Sequence, residues 1–336
     1  MSTSTFKAVI LAGGSGERFW PLSTPERPKQ FLRVFGGASL IRQAVSRLDG
    51  LVSPKDVFVV TAKNLVAATR RELPEIPKCN ILGEPMRRDT GAAVALGVGL
   101  AASDADPVIG FFSSDQMVAN PKAFRKVVSK AVALARRKPV IVTLGIKPTY
   151  PATCFGYISP KTRTFVEKPD AKTAKKYVKA GYLWNAGMFI ARASTFRGAF
   201  AAHAPELERL TSSTRAAGSK APSTKHLFAL YSKLPKISFD YAVMEKSKNV
   251  EVVPGDFGWD DVGSFAAFDK YFPHDSRGNV REGPCTVVEA DGNICVARSA
   301  RISLLGVKNL VVVTTPDSVL VADKSRLTDM KKLFKK

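Results

Sequence analysis

The chain has 336 residues, enough for one large unit with an appendage, and its 45% hydrophobic and 24% charged residues are those of a packed globular protein. Fifty-one Lys and Arg against 29 Asp and Glu leave a net charge of +22. The basic residues are spread over helical stretches and the Lys331 to Lys336 tail without interleaved aromatics, which argues for a solvated basic surface suited to small anions and against nucleic acid as the main partner.

No apolar run nears the roughly 20 residues that cross a bilayer, and Met1 to Lys7 lead straight into a strand pattern without a cleavable signal, so a cytoplasmic protein with no membrane partner is expected. Four cysteines without C-x-x-C spacing and three histidines without zinc spacing argue against a disulfide framework or a structural zinc.

In chain order, β-branched apolar runs at Lys7 to Ala12, Val57 to Thr61, Asn80 to Leu82, Val108 to Ser113 and Val140 to Ile146 predict parallel strands. Between them, helix spacing recurs at Ser39 to Leu48, Lys63 to Glu72, Thr90 to Ala102 and Pro121 to Arg137, with Ser39, Thr90 and Asn120 as candidate caps. From Tyr150 to about Tyr271 the pattern is mixed. Short strands are expected at Gly156 to Ile158, Thr164 to Val166, Met188 to Ala191 and Val250 to Val253, and helices at Ala171 to Ala180 and Asp240 to Lys246. After Pro273, strands at Cys285 to Glu289, Asn293 to Ala297, Ile302 to Leu305, Leu310 to Thr314 and Val319 to Val321 follow without helices, before a terminal helix within Ser325 to Lys336. The fold class is therefore α/β: a Rossmann-like, mixed, mostly parallel sheet flanked by helices (residues 1–275), with a small C-terminal all-β region (276–336).

The first strand runs into Gly13-Gly14-Ser15-Gly16-Glu17-Arg18 at the carboxyl edge of the sheet, where ligands of such folds bind. Glycines there let backbone N–H groups face an anion, although a Gly-rich turn also serves plain chain reversal. The loop lacks the G-K-[ST] ending of a Walker loop, and Phe19 replaces the last glycine of a dinucleotide fingerprint. Arg18 and Lys29 add cations that can stabilise charge on a phosphate group. Asp115 closes the strand Val108 to Ser113, and Asp260 and Asp261 form an acidic pair beside Trp259. A carboxylate from each place would suit Mg²⁺, while an exposed loop or a helix cap would use the same residues structurally. In Glu167-Lys168-Pro169, Glu167 can accept bonds from sugar hydroxyls and Lys168 can meet a sugar phosphate, or the two can form a surface ion pair.

Leu11-Ala12-Gly13-Gly14-Ser15-Gly16-Glu17-Arg18, Pro21-Leu22-Ser23 and Arg27-Pro28-Lys29-Gln30-Phe31 together resemble the signature of sugar nucleotidyltransferases, and in particular that of mannose-1-phosphate guanylyltransferases. The resemblance extends from Ala8 to about Leu333, with Phe239 to Lys246 and Asn309 to Asp323 matching stretches of that subgroup. It implies that GTP and mannose 1-phosphate become GDP-mannose and pyrophosphate by Mg²⁺-assisted displacement, with Arg18, Lys29, Asp115, Lys168 and Asp261 as catalytic residues. Asp115 and Asp261 match the metal-binding aspartates. Leu11, Ala12, Gly13, Gly14, Ser15, Gly16, Glu84, Arg88 and Ser114 match nucleotide-binding positions, and Gly156, Glu167 and Asn185 match sugar-binding ones. The sequence departs from the usual pattern at Gln116, at Cys154-Phe155 and at Asp89. The departures leave two alternatives open: a transferase for another sugar 1-phosphate or base, and a non-catalytic nucleotide-sugar sensor. A single activity without an isomerase is expected, and a homodimer is the expected assembly if exposed C-terminal strand edges self-associate.

Overall fold

The computed structural model describes residues 5–14, 16–102, 106–216 and 222–334. Its contacts divide into two compact units. The first comprises 1–13, 42–114 and 118–259, and the second 14–41, 115–117 and 260–336.

The first unit is built on strands whose apolar runs are long enough to be covered on both faces, as parallel strands require. Their order is Val250–Gly255, Ile141–Ile146, Leu183–Arg192, Val108–Ser113, Phe6–Ala12, Val57–Ala62 and Ile81–Glu84. All neighbours pair in parallel except Leu183–Arg192, which runs antiparallel to the strands on either side of it in this order and makes the sheet mixed. That strand is longer than the expected Met188 to Ala191, because its first residues also pair with the short strand Tyr157–Ile158.

Helix Pro121–Arg137 buries Phe124, Val127, Val128, Ala131, Val132 and Ala135 at three- and four-residue spacing, the stripe that a sheet-covering helix needs. Asn120 caps it by accepting from Ala123 N at 3.0 Å. Helix Asp89–Ala101 is buried on nearly all sides and packs beside helix Pro205–Ala216. Its start differs from the expected cap at Thr90. Asp89 sits at φ 65°, a left-handed conformation in which Asp and Asn are the least strained of the side-chain-bearing residues, and its Oδ1 accepts from Thr90 N at 2.7 Å. The Thr90 hydroxyl instead accepts from Phe239 N at 2.9 Å. Helices Ala193–His203, Pro205–Ala216 and Thr224–Tyr231 lie where no helix is predicted. Among the described residues no helix is long and apolar enough to cross a membrane.

In the second unit, Phe19, Leu32, Phe35, Val262, Phe265 and Phe268 share one core with Val280, Ile294, Val296, Val311, Val313 and Leu320 of the C-terminal strands. Those strands pair mostly in parallel although no helices connect them. Val280–Glu282, Ile294–Ala297 and Leu310–Thr314 lie side by side, Cys285–Val288 pairs with Ile302–Leu305, and only Val319–Asp323 turns back antiparallel. Each coil thus stacks on the one before it. Buried asparagines hold the corner between coils: Asn293 donates from its backbone N and from Nδ2 to Asn279 Oδ1, each at 2.9 Å, and its own Oδ1 accepts from Leu310 N at 2.8 Å.

Asn293 is fully buried, so Asn293→Ala strands the Leu310 N–H and removes one of the two bonds to the Asn279 amide oxygen. We expect a loss of about 2 to 3 kcal/mol, read as a lower urea midpoint. A midpoint equal to that of the unaltered protein would contradict this reading of the corner.

Candidate functional site

In the second unit, four charged residues from separate stretches converge. Lys29, which opens the short 3₁₀ turn Lys29–Phe31, is only 5% exposed. Its Nζ donates to Asp115 Oδ2 at 3.0 Å and to the Asp261 carbonyl at 2.7 Å. Arg18 Nη2 stands 4.0 Å from Asp261 Oδ2. The glycine at 16 is required by this packing. Its φ is 67°, and a Cβ there would lie 2.5 Å from the Lys29 backbone nitrogen. Ser23 Oγ donates to the Gly16 carbonyl at 2.6 Å and holds the turn closed.

The structure also separates Asp260 from Asp261. Asp260 is spent on local structure, accepting from Val262 N at 2.7 Å and pairing with Lys270 Nζ at 2.6 Å. Asp261 faces the cluster. Burial raises its carboxyl above the usual aspartate range, Lys29 opposes that, and the charge of Asp115 adds to it. Two hard-oxygen carboxylates that repel one another suit a small divalent cation that completes its shell with water and substrate oxygens. Among the described residues there is no cluster of three or more His, Cys, Asp or Glu side chains able to form a closed metal cage.

Two further groups form within the first unit. In one, Glu84 ends the strand Ile81–Glu84 and lines a cavity of about 470 Å³ with Gly13, Ala62, Lys63, Asn64, Pro85, Met86 and Arg87. A Cβ on Gly13 would lie 3.3 Å from Glu84 Oε2. Burial pushes the Glu84 carboxyl up to about 7, a bond from the Tyr231 hydroxyl holds it down, and the Asp89 charge raises it. Arg88 turns to the end of helix Thr224–Tyr231, donating to the carbonyls of Tyr231 and Ser232 at 2.9 and 3.2 Å. Leu11 and Ala12 are engaged by backbone structure, with Ser114 N donating to the Leu11 carbonyl at 3.0 Å and Thr61 Oγ1 to the Ala12 carbonyl at 3.0 Å.

In the other group, Asn185 N donates to the Gly156 carbonyl at 2.8 Å, and a Cβ on Gly156 would fall 2.5 Å from Glu167 Oε2, so a side chain here would push the carboxylate from its place. Thr143 Oγ1 and Gly187 N both donate to Asn185 Oδ1, at 2.6 and 3.1 Å. The Asn185 amide nitrogen is thereby turned toward Asp240 Oδ1 at 2.9 Å. Lys168 Nζ meets Glu167 Oε1 at 2.5 Å. Burial works against the Lys168 charge, but this bond and the charges of Glu167 and Asp240 leave it raised overall. Asp240 is pushed up to about 7, by burial first and then by Glu167.

Arg18, Lys29, Asp115 and Asp261 thus come together in one unit; Glu84 with Gly13, and Gly156 with Glu167, Lys168 and Asn185, come together in the other. Gly14 belongs to the second unit, and a Cβ on it would meet nothing within 4 Å. Ser15 lies outside the described residues. Sequence reasoning missed Tyr231 and Thr143, which read as ordinary packing residues, and took Asp240 only as part of a matching stretch. A buried Asp inside an apolar helix turn was the available signal for it.

A family model described as "Nucleotidyl transferase" matches residues 7–277, and one described as "MannoseP isomerase/GMP-like beta-helix domain" matches 283–336. The chain is 34% identical to mannose-1-phosphate guanylyltransferase of Escherichia coli (strain K12), over 99% of this chain and 73% of that protein. It is 36% identical to mannose-1-phosphate guanylyltransferase of Klebsiella pneumoniae, over 96% of this chain and 72% of that protein. A solved structure described as mannose-1-phosphate geranyltransferase from Thermus thermophilus superposes with a TM-score of 0.88 at 34% identity, covering 98% of each chain.

A carboxyl raised from 4.5 to about 7 in the fold, as Glu84 is, costs stability as pH rises between those values, and the full cost is present above 7. Glu84→Gln is therefore expected to stabilise the protein by about 1 to 3 kcal/mol at pH 8 and by almost nothing at pH 4. Thermal unfolding at both pH values checks the sign.

Proposed function

This chain belongs to the nucleotidyl transferase family, among its mannose-1-phosphate guanylyltransferases, and we propose that it makes GDP-mannose and pyrophosphate from GTP and mannose 1-phosphate. The observation that carries the reaction class is the convergence of Arg18, Lys29, Asp115 and Asp261. It supplies fixed positive charge and a carboxylate pair in one place, which phosphate transfer requires.

A phosphate oxygen of mannose 1-phosphate attacks the α-phosphorus of GTP, the bond from that phosphorus to the bridging oxygen breaks, and pyrophosphate leaves with the electron pair. No side chain becomes a covalent nucleophile, so positioning and charge carry the rate. Arg18 and Lys29 hold the triphosphate, and Lys168 holds the attacking phosphate. Glu167 and Asn185 accept and donate bonds at the sugar hydroxyls. Leu11, Ala12, Gly13, Gly14, Ser15, Gly16 and Ser114 are assigned to the nucleotide, because glycine-rich backbone leaves N–H groups open to phosphate oxygens. Asp115 and Asp261 would hold Mg²⁺, which supplies charge neutralisation on the phosphates when bound. Glu84, with Gly13 beside it, takes the base. Arg88 acts on that site through the helix end it grips.

We assign residues 1–275 to the catalytic region and 276–336 to an appended β region. The ranges of the two matching family models, 7–277 and 283–336, support this boundary. Homodimer formation is supported by Val319 and Val321, each 63% exposed on the edge strand Val319–Asp323.

Pyrophosphate release with Mg²⁺, crossing GTP, ATP, UTP, CTP and dTTP against mannose, glucose and N-acetylglucosamine 1-phosphates, is expected to single out GTP with mannose 1-phosphate. Another productive pair would correct the substrates, and silence throughout would favour a nucleotide-sugar sensor. Lys168→Ala and Arg18→Ala are each expected to lose roughly 10² to 10³ in kcat. Unaltered turnover in both purified variants would overturn their assignment.

A further inference from the structure

Helix Thr224–Tyr231 carries no residue that the sequence pattern marks as functional, yet its last side chain enters the Glu84 site. Tyr231 is fully buried, and its hydroxyl donates to Glu84 Oε1 at 3.1 Å. The other carboxylate oxygen, Oε2, lies toward Gly13, another wall of the same cavity. The two oxygens therefore have separate fates: one is fixed by the protein and the other borders the space that a ligand can fill. The helix end is itself anchored, since Arg88 Nε donates to the Tyr231 carbonyl and Nη2 to the Ser232 carbonyl. A tyrosine that only filled core volume would need no such alignment, and a phenol buried against a carboxylate is a costly neighbour unless the bond is made.

We propose that Tyr231 is a positioning residue for base selection, its hydroxyl fixing one oxygen of Glu84 so that the carboxylate presents an acceptor to the N1–H and 2-amino groups of guanine. The proposal rests on the reading that Glu84 contacts the base. Guanine offers two adjacent donors on that edge, inosine's base offers only N1–H, and adenine places an acceptor at N1. A carboxylate held in one orientation distinguishes all three, because a mismatched edge leaves a buried polar group unpaired. The same bond favours the ionised form of Glu84. Burial and Asp89 favour its neutral form, the Tyr231 hydroxyl favours the charged form, and Lys63 and Arg87 line the same cavity. Removing the hydroxyl therefore costs both aim and charge.

The test is steady-state kinetics of Tyr231→Phe, Glu84→Gln and the double variant with GTP, ITP and ATP from pH 6 to 9. Tyr231→Phe is expected to raise KM for GTP roughly tenfold with kcat within about twofold, the scale of one lost hydrogen bond to a charged group. It is also expected to narrow the preference for GTP over ITP, and to move the pH below which KM climbs upward by about one unit. The double variant is expected to match Glu84→Gln alone, because the two residues act as one unit. Wild-type KM and pH dependence in Tyr231→Phe, with Glu84→Gln impaired, would overturn the role of Tyr231 and leave the base reading standing. Unchanged discrimination in Glu84→Gln would overturn the base reading itself. Additive losses in the double variant would mark Tyr231 as a packing residue and overturn its positioning role.

Discussion

A nearly buried ammonium, that of Lys29, is the interaction on which the proposed catalytic cluster depends. It reaches Asp115 and the Asp261 carbonyl together, tying three distant stretches of chain at one point. A lysine so little exposed has lost most of its water and needs paired oxygens in return. The same constraint explains Gly16, whose lack of a side chain lets the glycine-loop backbone lie against Lys29. It also explains why Asp261, and not Asp260, belongs to the cluster: Asp260 is occupied by Lys270 and the Val262 N–H.

The two sites of the first unit follow a related rule in the opposite sense. Glu84 and Asp240 are carboxyls held where burial favours the neutral form, and each is steered by a partner that fixes which oxygen points where. The partner is Tyr231 for Glu84 and the Asn185 amide for Asp240. Asn185 is in turn oriented by Thr143 and Gly187. Such arrangements raise the folding cost of a site and lower the reorganisation needed when substrate arrives.

Much of this was legible in the sequence. Strands such as Val108–Ser113 and the helix Pro121–Arg137 stand out because their burial is periodic and their ends carry turn or capping residues. The glycine loop, Lys29, Asp115 and the Glu167-Lys168 pair were legible as charge and glycine in unusual order. Three helices between Ala193 and Tyr231 were not, because weak amphipathicity and interspersed small residues mask their period. The parallel stacking of the C-terminal strands was hidden as well, since pairing partners are invisible to local pattern and the buried Asn279–Asn293 contact fixes them. Side chains that orient others, such as Thr143 and Tyr231, carry no motif because their role exists only in three dimensions.

The central claim is that the carboxylates tied by Lys29 build the metal and phosphate centre. Anomalous diffraction from crystals grown with Mn²⁺ and GTP tests it most directly. The account predicts a peak about 2.1 Å from carboxylate oxygens of Asp115 and Asp261. A peak held instead by Glu167 and Asp240, or by phosphate oxygens alone, would contradict it.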